Sequence, residues 1–251
     1  MTAPAGSSFD SPVELQAILF DYGGTLDGPA SHWLDRMIEL LIEAGVEHPF
    51  DRMKSAFYRA DDAAYAEPRV STMSLAELMD FHVRVQLAQL GIDDAAIHRR
   101  IVDGFVARSA TALAASRAVL GRLAERYRLG VVSNFYGNVG RILSEAGIAP
   151  LLGVVVDSTQ VGWMKPDRRI FEHALAALGT APQMTLHVGD SYERDVCAAR
   201  AVGLRTAWLV SPDRRAASCA AGTADLVICA LGELADALAL PSRSGSVRAE
   251  H

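Results

Sequence analysis

Short, continuous apolar runs recur along this chain: Leu15–Phe20, Leu129–Ser133, Gly153–Asp157, Thr185–Gly189, Thr206–Val210 and Leu226–Cys229. Runs this short, bounded by turn residues, read as buried strands. Between the later runs lie Arg141–Ala146, Arg168–Leu178 and Glu193–Val202, whose apolar spacing is helical. Strands alternating with helices predict a parallel sheet covered on both faces, and right-handed crossovers make it a doubly wound α/β fold. One interval departs from this rhythm. From Leu26 to about Thr111 no convincing strand is found. Trp33, Leu34, Met37, Ile38 and Leu41 form one helical stripe; Leu75, Leu78, Met79, His82, Val85 and Leu90 form a second; Met53, Phe57 and Tyr65 suggest a third. The expectation is a core of residues 13–26 and 112–240, a helical insert of about 85 residues over 27–111, and loose Ser-, Pro- and Arg-rich tails at 1–12 and 241–251. An insert leaving directly after the first strand can cover that strand's carboxyl end, where open parallel sheets bind ligands.

Composition narrows the function. The 251 residues are 50% hydrophobic and carry a net charge of -6, which suits a globular domain and argues against a broad basic face for nucleic acid. No apolar run of 18 residues suggests a membrane span, and Met1–Asp10 does not read as a secretory signal, so a cytoplasmic protein, monomer or homodimer, is expected. Cys197, Cys219 and Cys229 lack metal or redox spacing and read as buried or incidental thiols. Lysine is nearly absent: Arg supplies 22 of the 24 basic residues, leaving Lys54 and Lys165. A compact ammonium retained in an arginine-rich chain marks Lys165 as a candidate before any motif is considered.

Candidate chemistry follows four successive strands. Asp21 ends the first, in Phe20-Asp21-Tyr22-Gly23-Gly24-Thr25-Leu26. A carboxylate on a sharp turn at a strand end can act as a nucleophile. Ser133-Asn134 ends the second strand, Lys165 lies in the loop after the third (Gly162-Trp163-Met164-Lys165-Pro166-Asp167), and Asp190 ends the fourth (His187-Val188-Gly189-Asp190-Ser191), with Asp195 one turn later. A parallel sheet brings these loops to one edge. Asp21 and Asp190 would then be hard oxygen ligands for Mg²⁺. Ser133, with its neighbour Asn134, and Lys165 would hold the oxygens of a phosphoryl group, whose transfer depends on positioning and charge neutralisation.

This ordered set of four motifs resembles the haloacid dehalogenase-like hydrolase superfamily over nearly all of residues 13–240. The insert is similar to the helical cap of one large branch. The resemblance implies a Mg²⁺-dependent phosphatase of a small phosphorylated metabolite. Asp21 would become an aspartyl-phosphate, Ser133 and Lys165 would hold the phosphate, Asp190 would bind the metal with Asp195 supporting it, and Gly23 would offer its backbone carbonyl.

Position 23 departs from the pattern. Phosphatase members usually carry an aspartate there that protonates the leaving oxygen and then activates water; glycine does neither, and such catalysis contributes roughly 10²–10⁴-fold. Four readings follow. The enzyme is a phosphatase with a substitute proton donor (Asp27, His32, Asp61 or Asp62) or a good leaving group. It cleaves phosphonates through a Schiff base on Lys54. It is a dehalogenase. Or it is a weakly active or non-catalytic binding protein. Simpler structural readings stand beside these: His187 as a core histidine, His82 as packed or partly exposed on its helical stripe, Asp61-Asp62 as a solvated helix face, and Trp33, Trp163 and Trp208 as packing residues, with Trp163 the one placed to line the substrate entrance.

Overall fold

The computed structural model describes residues 14–28, 30–220 and 224–238. The expected tails, and the core's outer bounds at 13 and 239–240, lie outside the described residues. Six strands form one parallel sheet: β1 (Ala17–Phe20), β2 (Arg128–Ser133), β3 (Val154–Asp157), β4 (Thr185–Gly189), β5 (Arg205–Leu209) and β6 (Leu226–Ile228), in the order β3-β2-β1-β4-β5-β6. Helices α1 (Trp33–Glu43), α2 (Phe50–Ala66), α3 (Leu75–Leu90) and α4 (Ala95–Leu123) separate β1 from β2. Then follow α5 (Val139–Glu145), α6 (Ser158–Val161), α7 (Arg168–Leu178), α8 (Ala198–Val202), α9 (Arg215–Ala220) and α10 (Leu231–Ala237).

The two-residue period of β1 explains the layering. Ile18 and Phe20 join the core beneath α4, α5 and α10, whereas Ala17 and Leu19 join a second core with α7 and α8. Side chains of alternate residues leave a strand on opposite faces, so a central strand with helices on both sides is apolar throughout, and β1 is fully buried. Most strand limits agree with the sequence pattern to within a residue or two, and Thr185–Gly189 and Arg168–Leu178 coincide with it. The expected helix Glu193–Val202 is instead a wide π-type turn, Tyr192–Cys197, leading into α8.

The expected boundary between residues 111 and 112 falls inside α4. That helix runs unbroken for 29 residues, since Ile101, Phe105, Ser109, Leu113, Ser116, Leu120 and Leu123 keep one buried face along its whole length. It packs against α1 and α3 of the insert and against α10 of the core. Asp94 caps it by accepting from the Ala96 and Ile97 amides. Cys197 and Cys219 are exposed rather than buried, and all three cysteines are free. No helix among the described residues is long and apolar enough to cross a membrane.

The sheet register sets the height of the site. Phe20 pairs with Val131 on one side and Val188 on the other. Asp21, Ser133 and Asp190 therefore emerge within two residues of one level. The strand order reverses between β1 and β4, so their following loops diverge and open a crevice at this switch point.

Candidate active site

Lys165 is the centre of the cluster. Its Nζ donates to Asp21 Oδ1 at 2.7 Å and to Asp195 Oδ1 at 2.6 Å, with the side chain 3% exposed. Ser133 Oγ donates to the same Asp21 oxygen at 2.9 Å. Burial works against the lysine's charge, but Asp195 and Asp21 outweigh it and hold the ammonium above the usual lysine range. Asp195 is pinned on both oxygens: His187 Nε2 lies 3.1 Å from Oδ1 and the Ser191 amide donates to Oδ2 at 2.9 Å. Burial opposes its charge too, yet Lys165 and His187 keep this carboxyl well below the ordinary range. His187 is thus a buried core residue, as its strand position suggested, that also supports Asp195.

Asn134 lies in the crevice, with its amide side chain bound to the backbone of Lys165. Its Nδ2 donates to the Lys165 carbonyl at 2.9 Å and its Oδ1 accepts from the Lys165 amide at 2.7 Å. This reciprocal pair fixes the loop that delivers the ammonium.

Asp190 differs from the other acids. Its carboxylate accepts no hydrogen bond from the described residues, and burial followed by repulsion from Asp21 and Asp195 pushes its carboxyl well above the usual range. Oxygens of Asp21, Asp190 and Asp195 lie within 4.8 Å of one another. A hard divalent cation would supply the charge the protein leaves unmet, so these residues fit Mg²⁺. Asp21 and Asp190 have the more open carboxylates for it; Asp195 is already bonded to Lys165, His187 and Ser191. Gly23 lines the same crevice. Two glycines are required by contact. A Cβ on Gly24, whose φ is +77°, would sit 2.4 Å from Asp190 Oδ2, and one on Gly189 would sit 2.2 Å from Asp195 Cγ. At Gly23 the nearest atom to such a Cβ is Trp33 Nε1 at 3.6 Å.

The candidate substitutes for position 23 separate cleanly. Asp27 is corrected: it is fully buried and accepts from Arg36 Nη1 at 3.0 Å, Trp33 Nε1 at 2.7 Å and the Gly24 amide at 2.8 Å. Arg36 in turn donates to Ser109 Oγ at 2.6 Å. Burial raises the Asp27 carboxyl although Arg36 draws it down. This interior ion pair ties the turn after β1 to α1 and α4, and leaves Asp27 no path to substrate. Asp62 is exposed and outside the crevice. His32 does line it. Its Nδ1 accepts from the Leu34 amide at 3.1 Å and caps α1, so Nε2 is the atom available to a ligand. Burial and Arg194 lower its pKa against the charges of Asp35, Asp61 and Asp21.

Asp61 is not a purely solvated residue. It lines the crevice together with Phe57 and Tyr65 of α2, accepts a hydrogen bond from Tyr136 Oη, and lies 3.6 Å from His82 Nε2. Phe57, Asp61 and Tyr65 recur every four residues and so share one face of α2, which meets the crevice. Phe135 and Tyr136 were missed, because the loop after β2 has no periodicity. That loop is shaped by Asp157, whose carboxylate accepts from the Gly137 and Val139 amides, at 2.9 and 3.2 Å. Trp163 is corrected as an entrance residue: it lies under the Arg169 guanidinium, 5.3 Å from its carbon to the ring centre, and Met164 takes the place in the crevice. Lys54 is exposed on α2 and does not line the crevice, which removes the observation on which a Schiff-base reading would rest. The crevice is open to solvent and has a volume of about 240 Å³.

The haloacid dehalogenase-like hydrolase family pattern matches residues 15–203. The chain belongs to the haloacid dehalogenase-like hydrolases. Within this family, the haloacid dehalogenase-like hydrolase domain-containing protein 3 of Bos taurus is 41% identical over 86 residues, which are 34% of this chain and 34% of that protein. The phosphoserine phosphatase of Thermus thermophilus is 44% identical over 64 residues, 26% of each chain. The chain thus spans about a third or less of the length of these relatives. Among solved structures, a HAD phosphatase from Thermococcus onnurineus superimposes with a TM-score of 0.55 at 21% identity, covering 90% of this chain and 99% of that one, a likeness of fold.

Proposed function

We propose that this hydrolase is a Mg²⁺-dependent phosphatase of a small phosphorylated metabolite, working through an aspartyl-phosphate on Asp21. The observation that supports this most is the pairing of Asp21 Oδ1 with Lys165 Nζ and Ser133 Oγ beside the unmet charge of Asp190. Phosphatases stand among the relatives.

In this reading Asp21 attacks phosphorus and the ester oxygen departs. Lys165 and Ser133, which hold the nucleophile in the resting site, are placed to donate to phosphoryl oxygens as negative charge builds on them. Mg²⁺, when bound by Asp21, Asp190 and the Gly23 carbonyl, supplies further neutralisation of phosphoryl charge. Asp195 keeps Lys165 charged and in place; Asn134 holds its backbone. Water then attacks the aspartyl-phosphate, and phosphate leaves. With glycine at position 23, neither departure nor water attack receives a proton shuttle from that residue. Good leaving groups are therefore favoured and the second step is slow. His32 can contribute a hydrogen bond through Nε2.

The test is phosphate release from alkyl phosphates, aryl phosphates and acyl phosphates, with and without Mg²⁺, using Asp21→Asn as the blank. Mg²⁺-dependent release that is abolished in the variant supports the reading. No release above the blank from any compound moves the protein to the second reading, a binding protein that retains the fold, which the glycine at position 23 favours.

A further inference from the structure

The crevice is electrically lopsided. Its cationic groups, Lys165 and Arg194, come from the core, beside Asp21 and Asp190. From the helical insert, the charged group lining the crevice is the carboxylate of Asp61. No Arg or Lys among the described residues pairs with it.

Asp61 is held as an acceptor. Tyr136 Oη donates to its Oδ1. Behind it lies His82, fully buried, with Nδ1 2.8 Å from Gln86 Nε2 and with Nε2 otherwise without a partner, 3.6 Å from the same Asp61 oxygen. With Gln86 donating to Nδ1, the imidazole presents Nε2–H toward Asp61. Tyr136 thus donates to Oδ1, and His82 Nε2 faces the same oxygen from 3.6 Å, beyond hydrogen-bond distance. The second oxygen remains available to a ligand. Aromatic rings flank the carboxylate: Tyr65 and Tyr136, with centroids 4.6 Å apart, and Phe57 one turn before it on α2. A carboxylate set among aromatic rings recognises an organic cation, through its charge and through the ring quadrupoles.

We propose that the substrate is a phosphate monoester of an amino alcohol or amino acid: its phosphoryl group sits on the core side and its ammonium group meets Asp61 and the rings of Tyr65 and Tyr136. This rests on the phosphatase reading and names its substrate class. The crevice of about 240 Å³ lies below the range of roughly 300–1,000 Å³ common for ligand pockets, which favours a small substrate.

The experiment compares three esters of matched length: 2-aminoethyl phosphate, 2-hydroxyethyl phosphate and 2-phosphoglycolate. For each, kcat/KM is measured with wild-type and Asp61→Asn enzyme, with acetyl phosphate as a class-neutral control. Equilibrium binding of the same three esters to the Asp21→Asn chain with Mg²⁺ is measured in parallel. The ammonium ester should be preferred over the hydroxyl ester by about tenfold or more, with the carboxylate ester poorest. Asp61→Asn should bring the ammonium-to-hydroxyl ratio close to one. Equal or reversed preference in the wild type overturns the proposal. So does a uniform fall for all three esters in Asp61→Asn with the ratio intact, which would make Asp61 a residue of the chemistry instead. If neither acetyl phosphate nor any of the three esters is hydrolysed, the phosphatase reading itself has failed. The binding order of the three esters then decides the ammonium site independently. Should Asp61→Asn fold poorly, the wild-type comparison is sufficient by itself.

Discussion

Replacing Lys165 with methionine removes the one cation that the described residues place between Asp21 and Asp195. Methionine preserves the length and volume of the stem, so the change is one of charge. The lysine side chain is 3% exposed and sits 2.7 Å and 2.6 Å from the two carboxylates. Without it, three acids whose oxygens lie within 4.8 Å face one another. At that separation and an effective dielectric of about 20, each pair of full charges repels by roughly 3–4 kcal/mol. Proton uptake relieves part of this, and breaking a buried ion pair costs about 3–5 kcal/mol in practice. For a chain of this size that is a fall in Tm of about 6–20 °C in chelator at pH 7.5.

The pH dependence has a definite sign. Loss of the lysine raises the folded-state pKa of the acids above the unfolded value. The folded state then holds protons that the unfolded state releases, and stability declines as pH rises through that window. The deficit of Lys165→Met should therefore be largest at pH 7.5, shrink toward pH 5, and shrink also when Mg²⁺ is added at pH 7.5. Thermal unfolding with and without chelator at both pH values measures this. A metal-free Tm within about 2 °C of wild type at pH 7.5 refutes the electrostatic account.

Other outcomes can be checked in the same preparations. Gly23→Asp should raise turnover of simple alkyl phosphates, because its Cβ meets nothing nearer than 3.6 Å; unchanged or lower steady-state rates in a folded variant count against glycine as the weak point. Gly24→Ala, with φ at +77° and a Cβ 2.4 Å from Asp190, should lose both activity and Mg²⁺ affinity, and wild-type Mg²⁺ titrations would contradict the contact. Arg36→Met strands the buried Asp27 and should cost about 3–5 kcal/mol in urea unfolding; a loss under about 1 kcal/mol would show that Asp27 finds other support. The raised Asp190 carboxyl makes protons compete with metal, so Mg²⁺ should bind more weakly as pH falls from 8 to 5. Calorimetry showing affinity independent of pH would remove Asp190 from the ligand set.

The alternation of short apolar runs with helical spacings determined the strands, the parallel sheet and the edge where Asp21, Ser133, Lys165 and Asp190 emerge. These are local periodicities, and a parallel sheet turns them into a common edge by its connection rules alone. The glycine at position 23 was equally legible, since a missing side chain needs no fold to be seen. Tertiary structure decided what each remaining polar side chain meets. Asp27 and Asp61 are both acids of the insert, yet one is locked to Arg36 of α1 and the other faces the crevice beside Tyr136. Trp163 and Met164 are neighbours, and the loop turns one against Arg169 and the other into the site. The join at residue 111 falls inside α4, whose single buried face runs from Ile101 in the insert to Leu123 within one continuous core. Sequence spacing reports which residues share a face within an element. Which face of another element lies opposite is settled only when distant segments pack, and the partners of Asp27, Asp61 and Lys165 are all set at that stage.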